Sequence, residues 1–278
     1  MSVLTAIFLG LVQGLTEFLP VSSSGHLAVL QNIFHLQTAE EGHMFFDVLL
    51  HLGTVAAVIV SYWKDIVYIV RDSLAFVRES RFVPPEQRTQ HPGARLLLML
   101  FFGTLPLFVI YPFHDSLEQL YYNTRFIAIA FILTGFILFI SDKMPRGRRT
   151  ERSMRVTDAL LIGAAQAIAT IPGISRSGST ITAGMVRGLD RDFAVKFSFM
   201  MSIPAVAGST LLTLIDAIQT GIDTSLIPAY LIGTVVAAVV GVFAIRLVKR
   251  ITSQGKFGRF CYYLWGVGVL TIVLSLLF

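Results

Sequence analysis

The chain has 278 residues, 54% hydrophobic and only 14% charged, where an average soluble domain carries roughly 25% charged residues. That composition describes an integral membrane protein with one membrane domain spanning 1–278, and the helix-length apolar stretches along it make an all-α fold the expectation. The net charge of +5 does not mark a nucleic-acid binder, because the basic residues collect in short polar stretches between oily segments, and the single Cys261 excludes an intrachain disulfide.

The first oily region, about 1–36, has no basic leader and no A-x-A-like cleavage site, so a removable signal peptide is not expected. A polar run from Gln13 to His26 breaks it in the middle. Gln13 and Glu17 are four apart and share a helix face; Glu17 is either an acid inside the membrane or a carboxylate solvated near its interface. Pro20 ends the helix, and Ser22, Ser23, Ser24 and Gly25 open a tight turn toward His26. One serine would cap the next helix, but three exceed what a cap needs. A crossing at about 45–63 follows, with Asp47 and His51 as another i, i+4 pair that either lines the same cavity or is solvated at a helix end. Further crossings are expected at about 95–113 and 125–141.

The second broken region, about 158–188, carries Pro172 and Gly173, then Ser175, Arg176, Ser177 and Thr180 at the start of a new helix. A helix start offers free N–H groups and a positive dipole end to an anion, and an arginine adds a fork of donors matched to phosphate. The plainer alternative is an interfacial arginine in a Gly/Ser loop. No Gly-Lys-Ser/Thr follows, so this is not a nucleotide-binding loop. Crossings at about 197–218, 228–248 and 259–278 complete the chain. His35, His43, His91 and His114 fall at segment ends or in loops and show no metal-ligand spacing.

Six crossings and two re-entrant hairpins arrange the charges consistently. The stretches 64–95, 142–157, 187–196 and 246–259 hold 20 of the 22 Lys and Arg residues and fall on one face, which is then cytoplasmic. Residues 1–63 hold none, so both termini and the first hairpin are expected outside, on the periplasmic face of the cell membrane. The exceptions are Arg125, which can snorkel at a helix end, and Arg176. The halves also repeat. A shift of 153 aligns Gln13 with Gln166, Ser22 with Ser175, Ser24 with Ser177 and Gly25 with Gly178. Three crossings per half make the second repeat (158–278) inverted relative to the first (1–142), which brings the two polar breaks together near the midplane.

These breaks supply anion donors, a carboxylate, hydroxyls and an imidazole, the parts a phosphate ester needs. Their patterns, with Gln13, Glu17, Ser23 and His26 in the first and Pro172, Gly173, Ser175, Arg176, Ser177 and Thr180 in the second, resemble those of the bacitracin-resistance undecaprenyl-diphosphatase family. Other members carry Glu at the position of Gln13. The resemblance implies a hydrolase that converts undecaprenyl diphosphate to the monophosphate and inorganic phosphate, recycling the cell-wall lipid carrier. It also implies a divalent cation, Mg2+ or Ca2+, near Glu17 and Gln13. In that reading Glu17, Ser23, His26 and Arg176 are catalytic: Ser23 attacks phosphorus, with His26 as base, and Arg176 clamps the diphosphate. Gln13, Ser22, Ser24, Ser175, Ser177 and Thr180 bind substrate. A water activated by Glu17 is the other nucleophile considered. The partners are the polyprenyl diphosphate lipid and the membrane, with a homodimer left open and no nucleic acid. A transporter or flippase of a phosphorylated polyprenyl lipid is the competing class, but it would not need a nucleophile beside a base.

Overall fold

The computed structural model describes residues 1–33, 40–82, 84, 89–220 and 224–277, and among them the regular elements are helical. The end of the first hairpin region (34–36), with His35, lies outside the described residues. Helix α1 (Val3–Thr16) and α2 (Ser23–Ile33) are separated by the turn around Pro20, where Ser22 takes the left-handed conformation at φ +68°. A non-glycine residue held there costs on the order of 1–3 kcal/mol, and the surrounding bonds must maintain it. Helix α3 (Glu40–Ser61) bends by 74° at Tyr62 into α4 (Trp63–Phe82). Then come α5 (Pro92–Thr104), α6 (Pro106–Ile110), α7 (His114–Gln119) and α8 (Thr124–Ser141). The second half holds α9 (Val156–Ile168), α10 (Arg176–Val186), α11 (Arg191–Thr220), α12 (Ile227–Ser253) and α13 (Phe260–Leu277).

Four segments are long and apolar enough to cross a membrane: Pro92–Phe113, Thr124–Ser141, Ile227–Ser253 and Phe257–Leu277. The bent pair α3–α4 makes a fifth if counted as one span. The four segments correspond to the stretches expected at 95–113, 125–141, 228–248 and 259–278, and α3 to that at 45–63. The sixth, 197–218, falls within α11, which is not among the membrane-capable segments of the described residues. The stretch 64–95, read as a polar connection, instead contains α4, a helix of 20 residues.

The two broken regions are the hairpins α1–α2 and α9–α10. The first packs through α1 on α12, and the second through α9 on α5. Both contacts are close because glycines meet there. A Cβ at Gly10 would strike the carbonyl of Gly233, and one at Gly163 the carbonyl of Gly103. Helix α12 also packs on α3, α5 on α11, α3 on α11 and α8 on α13. The base of the second hairpin is tied by Asp158, fully buried, which accepts from Arg149 Nη1 at 3.1 Å, the Arg155 backbone N–H at 2.9 Å and Arg187 Nε at 2.8 Å. One carboxylate thus holds both legs of the hairpin and the basic stretch before it.

Helix α4 is clasped to the start of α5. Asp72 Oδ2 accepts from the N–H groups of Gly93 and Ala94 at 2.7 and 3.1 Å, which supplies the cap that His91 itself does not provide. His91 bridges Asp72 Oδ1 through Nδ1 at 3.0 Å and Glu79 Oε2 through Nε2 at 3.2 Å. The bond to Asp72, reinforced by Glu79, raises the His91 pKa above its ordinary value. A raised folded-state pKa contributes stability that is complete below about pH 6.5, the ordinary value, and is lost as pH rises through the folded value. Thermal melting of wild type and His91→Gln in detergent should therefore diverge most in mild acid and converge in alkali. A gap that is constant with pH would show that His91 does not act through its charge.

Candidate functional site

The hairpin tips meet. A Cβ at Gly25 would lie 2.8 Å from the Cα of Gly173, which itself sits at φ +89°. Ser177 Oγ donates across to the Leu19 carbonyl at 3.1 Å. The second tip is pinned from α8 by Thr134, whose hydroxyl donates to the Gly173 carbonyl at 3.1 Å and accepts from the Ser175 N–H at 3.2 Å. Such close approach explains why both turns are built from glycines and short hydroxyl side chains.

Glu17 stands at the centre of this contact, 7% exposed. It is the first residue past α1, so its carboxylate projects beyond the helix end and towards the second hairpin. Its Oε2 accepts from Ser23 Oγ at 2.5 Å and from Gln13 Nε2 at 3.0 Å. Its Oε1 is paired with Arg176 Nη2. His51 Nε2 reaches to 3.6 Å of Oε2 from α3. The His51 Nδ1 meets the backbone carbonyl of Asp47 at 2.8 Å, so Nδ1 carries the proton and Nε2 faces the carboxylate. A buried carboxylate is stable only with such company, and here it has one cation and two neutral donors. The Arg176 side chain is 25% exposed, and its other guanidinium nitrogens make no bond within the described residues. They are therefore available to an incoming anion.

The remaining candidates divide. Ser175 Oγ caps α10 by accepting from the Gly178 N–H at 3.0 Å, and Ser22 Oγ does the same for the Gly25 N–H at 3.3 Å. Ser24 meets Ser22 Oγ at 3.4 Å. Thr180 turns away from the cluster: its hydroxyl donates to the Arg176 carbonyl at 2.8 Å and lies 2.5 Å from Ser198 Oγ on α11. Asp47 is held by Gln31 Nε2 at 3.4 Å and makes no hydrogen bond with Glu17 among the described residues.

One expected pairing takes a different form. The sequence reading gave Ser23 the imidazole of His26 as its base, whereas the Ser23 hydroxyl here donates to Glu17. His26 is engaged at both nitrogens, through Nδ1 with the Ser22 carbonyl at 2.8 Å and through Nε2 with Tyr263 Oη at 2.8 Å. Its ring stacks on Tyr263 at an interplanar angle of 8°. The left-handed backbone at Ser22 aims that carbonyl at Nδ1, which turns the imidazole towards α13. Tyr263 and Thr134 were not singled out from the sequence. Tyr263 sits in an aromatic-rich helix that reads as lipid-facing. Thr134 is the only hydroxyl in the oily run 126–140, and that isolation was the available signal.

Among the described residues no group of three His, Cys, Asp or Glu side chains could hold a metal ion. The hub nevertheless offers two oxygen-bearing groups, the Glu17 carboxylate and the amide of Gln13, whose Oε1 is buried and without a partner among the described residues. Such a short donor set suits a cation that brings most of its ligands as phosphate oxygens and water.

A family described as "Bacitracin resistance protein BacA" matches residues 6–270. The chain is 38% identical over 279 residues to a protein of Halothermothrix orenii named undecaprenyl-diphosphatase, covering 100% of both chains. It is 38% identical over 276 residues to the undecaprenyl-diphosphatase of Carboxydothermus hydrogenoformans, covering 97% of this chain and 96% of that one. It is 36% identical over 276 residues to "Undecaprenyl-diphosphatase 3" of Bacillus cereus, covering 99% and 98%.

Proposed function

This chain belongs to the bacitracin resistance protein BacA family, and on that premise we propose that it is a membrane undecaprenyl-diphosphatase. It removes the terminal phosphate of undecaprenyl diphosphate and returns the monophosphate carrier to cell-wall synthesis. The observation that carries this reading is the Glu17 carboxylate shared between the hydroxyl of Ser23 and the guanidinium of Arg176. A proton acceptor, a nucleophile and an anion clamp meet there on two buried, helix-breaking turns. A transporter would use the clamp but would not need the acceptor–hydroxyl pair.

In the resting site Arg176 neutralises Glu17. An entering diphosphate competes for the guanidinium, and its fork suits phosphate oxygens. As Arg176 turns to phosphate, Glu17 Oε2 stays on the Ser23 hydroxyl as its proton acceptor. The Ser23 oxygen then attacks the terminal phosphorus, its proton passes to Glu17, and the bond to the bridging oxygen breaks to release undecaprenyl phosphate. Glu17 gives that proton up to the departing undecaprenyl phosphate, then takes a proton from the water that cleaves the phosphoserine and returns it to the Ser23 oxygen as inorganic phosphate leaves. Gln13 and Glu17 would hold a divalent cation, which would neutralise diphosphate charge. Arg176→Lys keeps the charge and loses the fork, so phosphate release from detergent-solubilised undecaprenyl diphosphate should fall on the order of 10²–10³-fold. Near-normal turnover in Arg176→Ala would remove Arg176 from the site. A wild-type protein that releases no phosphate from this lipid would overturn the function itself.

The architecture we propose is two inverted repeats, 1–142 and 158–278, with six crossings and two re-entrant hairpins. Its support is that the packing maps onto itself when the halves are exchanged. The contact of α1 on α12 becomes that of α9 on α5, α12 on α3 becomes α5 on α11, and the α3–α11 and α8–α13 pairs map onto themselves. Gly10 and Gly163, 153 apart, make the same glycine-to-glycine contact. In this arrangement the basic stretches face the cytoplasm, and both termini and the site face outside. With Cys261 replaced by Ser, an impermeant thiol reagent on whole cells should label a cysteine at Ser2 and spare one at Ser153. Labelling at 153 alone would reverse the orientation.

A further inference from the structure

Helix α4 sorts its charges by face. Asp65, Asp72 and Glu79 recur every seventh residue, and each is paired with the protein. Asp65 Oδ1 accepts from Lys196 Nζ at 3.1 Å, while Asp72 and Glu79 hold His91. Lys64, Arg71 and Arg78 form a parallel row one residue earlier, about 100° round the helix. They make no ion pair or hydrogen bond among the described residues. About 100° further round lie Trp63, Val70 and Val77, which are 59%, 52% and 61% exposed, with Leu74 beside them at 65%. The helix thus has a protein-bound acidic row, an unpaired basic row and, opposite the protein, an uncovered apolar row.

The 74° bend from α3 decides what meets those rows. If α3 runs along the membrane normal, α4 lies close to the membrane plane at the basic face of the protein. There an apolar stripe beside a cationic stripe sits at the headgroup boundary. A groove of about 340 Å3 on its first two turns is lined by Trp63, Lys64, Val67, Tyr68 and Arg71. Two cations flank it across an aromatic and aliphatic floor, which matches a phosphate-bearing headgroup above an acyl chain. We propose that α4 is a binding surface for anionic phospholipid, with Lys64, Arg71 and Arg78 taking the headgroup charge and Trp63, Val70, Leu74 and Val77 the acyl chains. The uncovered apolar row beside the cations favours anionic lipid over an acidic protein partner, which would match the charges of Lys64, Arg71 and Arg78 but not take up Trp63, Val70, Leu74 and Val77 as acyl chains do.

The test uses the full chain. Trp63 and Trp265 are its only tryptophans, so Trp265→Phe leaves Trp63 as the sole reporter. This protein is reconstituted in phosphatidylcholine vesicles with a fixed fraction of acyl-brominated phosphatidylglycerol, or of acyl-brominated phosphatidylcholine with unbrominated phosphatidylglycerol. Trp63 should be quenched by both, roughly twofold or more by the anionic lipid, since each basic residue near the surface favours it. The triple variant Lys64→Gln, Arg71→Gln, Arg78→Gln should keep the quenching and lose the preference. Trp63 unquenched by either lipid would show that α4 does not lie on the membrane. Equal quenching in the parent protein, or a preference that survives in the triple variant, would overturn the role of the basic row.

Discussion

Glu17→Gln should lower phosphate release on the order of 10²–10⁴-fold, the range expected when a positioned base is lost. The amide keeps the shape of the side chain and can still meet Gln13, but it cannot take the proton of Ser23. It also leaves Arg176 without its carboxylate in the resting site. Because Arg176 is 25% exposed, the unpaired guanidinium can reach water, and the protein should still fold, with a single size-exclusion peak and a measurable melting transition. Gln13→Glu is the informative counterpart. Its new carboxylate lies beside the hub, and the resemblance gives other members Glu at this position, so turnover should be retained and the divalent-cation dependence should shift to lower concentrations. If Glu17→Gln keeps most of its activity at every cation concentration tested, the carboxylate is a structural anchor for Arg176 and the base must be sought elsewhere.

What the sequence disclosed about this site follows from how costly polar groups are in hydrocarbon. Glu17 and Arg176 stood out because neither is tolerated in an oily segment without a partner, and each proved to be the other's. The breaks were legible through Pro20 and Pro172, which cannot donate to a helix, and through Gly173, which takes the left-handed conformation other residues avoid. The choice between the two imidazoles was not legible. His26 lies three residues from Ser23 and looked like its base, but the left-handed turn at Ser22 and the hydroxyl of Tyr263, 237 residues away, hold it towards α13. His51 approaches Glu17 only because α3 packs on α1 with that rotation. Both facts depend on long-range packing, which no local pattern encodes. Helix α4 was missed for another reason. Its apolar and charged residues alternate, so it is too polar to read as a crossing, although Trp63, Val70, Leu74 and Val77 carry a helical period along one face.

Ser23→Ala should reduce turnover by about 10³-fold or more if the serine is the nucleophile, since a covalent route has no substitute for its attacking oxygen. The geometry favours Ser23 over its neighbours. Its hydroxyl is 2.5 Å from Glu17 Oε2, whereas the nearest side-chain partner of Ser24 is Ser22 Oγ, and Ser22 is committed to the turn that aims His26. The carboxylate joins Ser23 on one oxygen to Arg176 on the other, so a phosphate drawn to the guanidinium arrives beside the hydroxyl. Rapid acid quench with substrate labelled in the terminal phosphate should then trap phosphoserine, and mass spectrometry should locate it at residue 23. Ser23→Cys should retain a trace of turnover, because a thiol can attack phosphorus but does not match the oxygen's distance to Glu17. Substantial activity in Ser23→Ala would exclude the serine as nucleophile. Activity lost without any trapped phosphoenzyme, together with solvent 18O incorporated into phosphate in a single turnover, would instead assign the attack to a water positioned by Ser23 and deprotonated by Glu17.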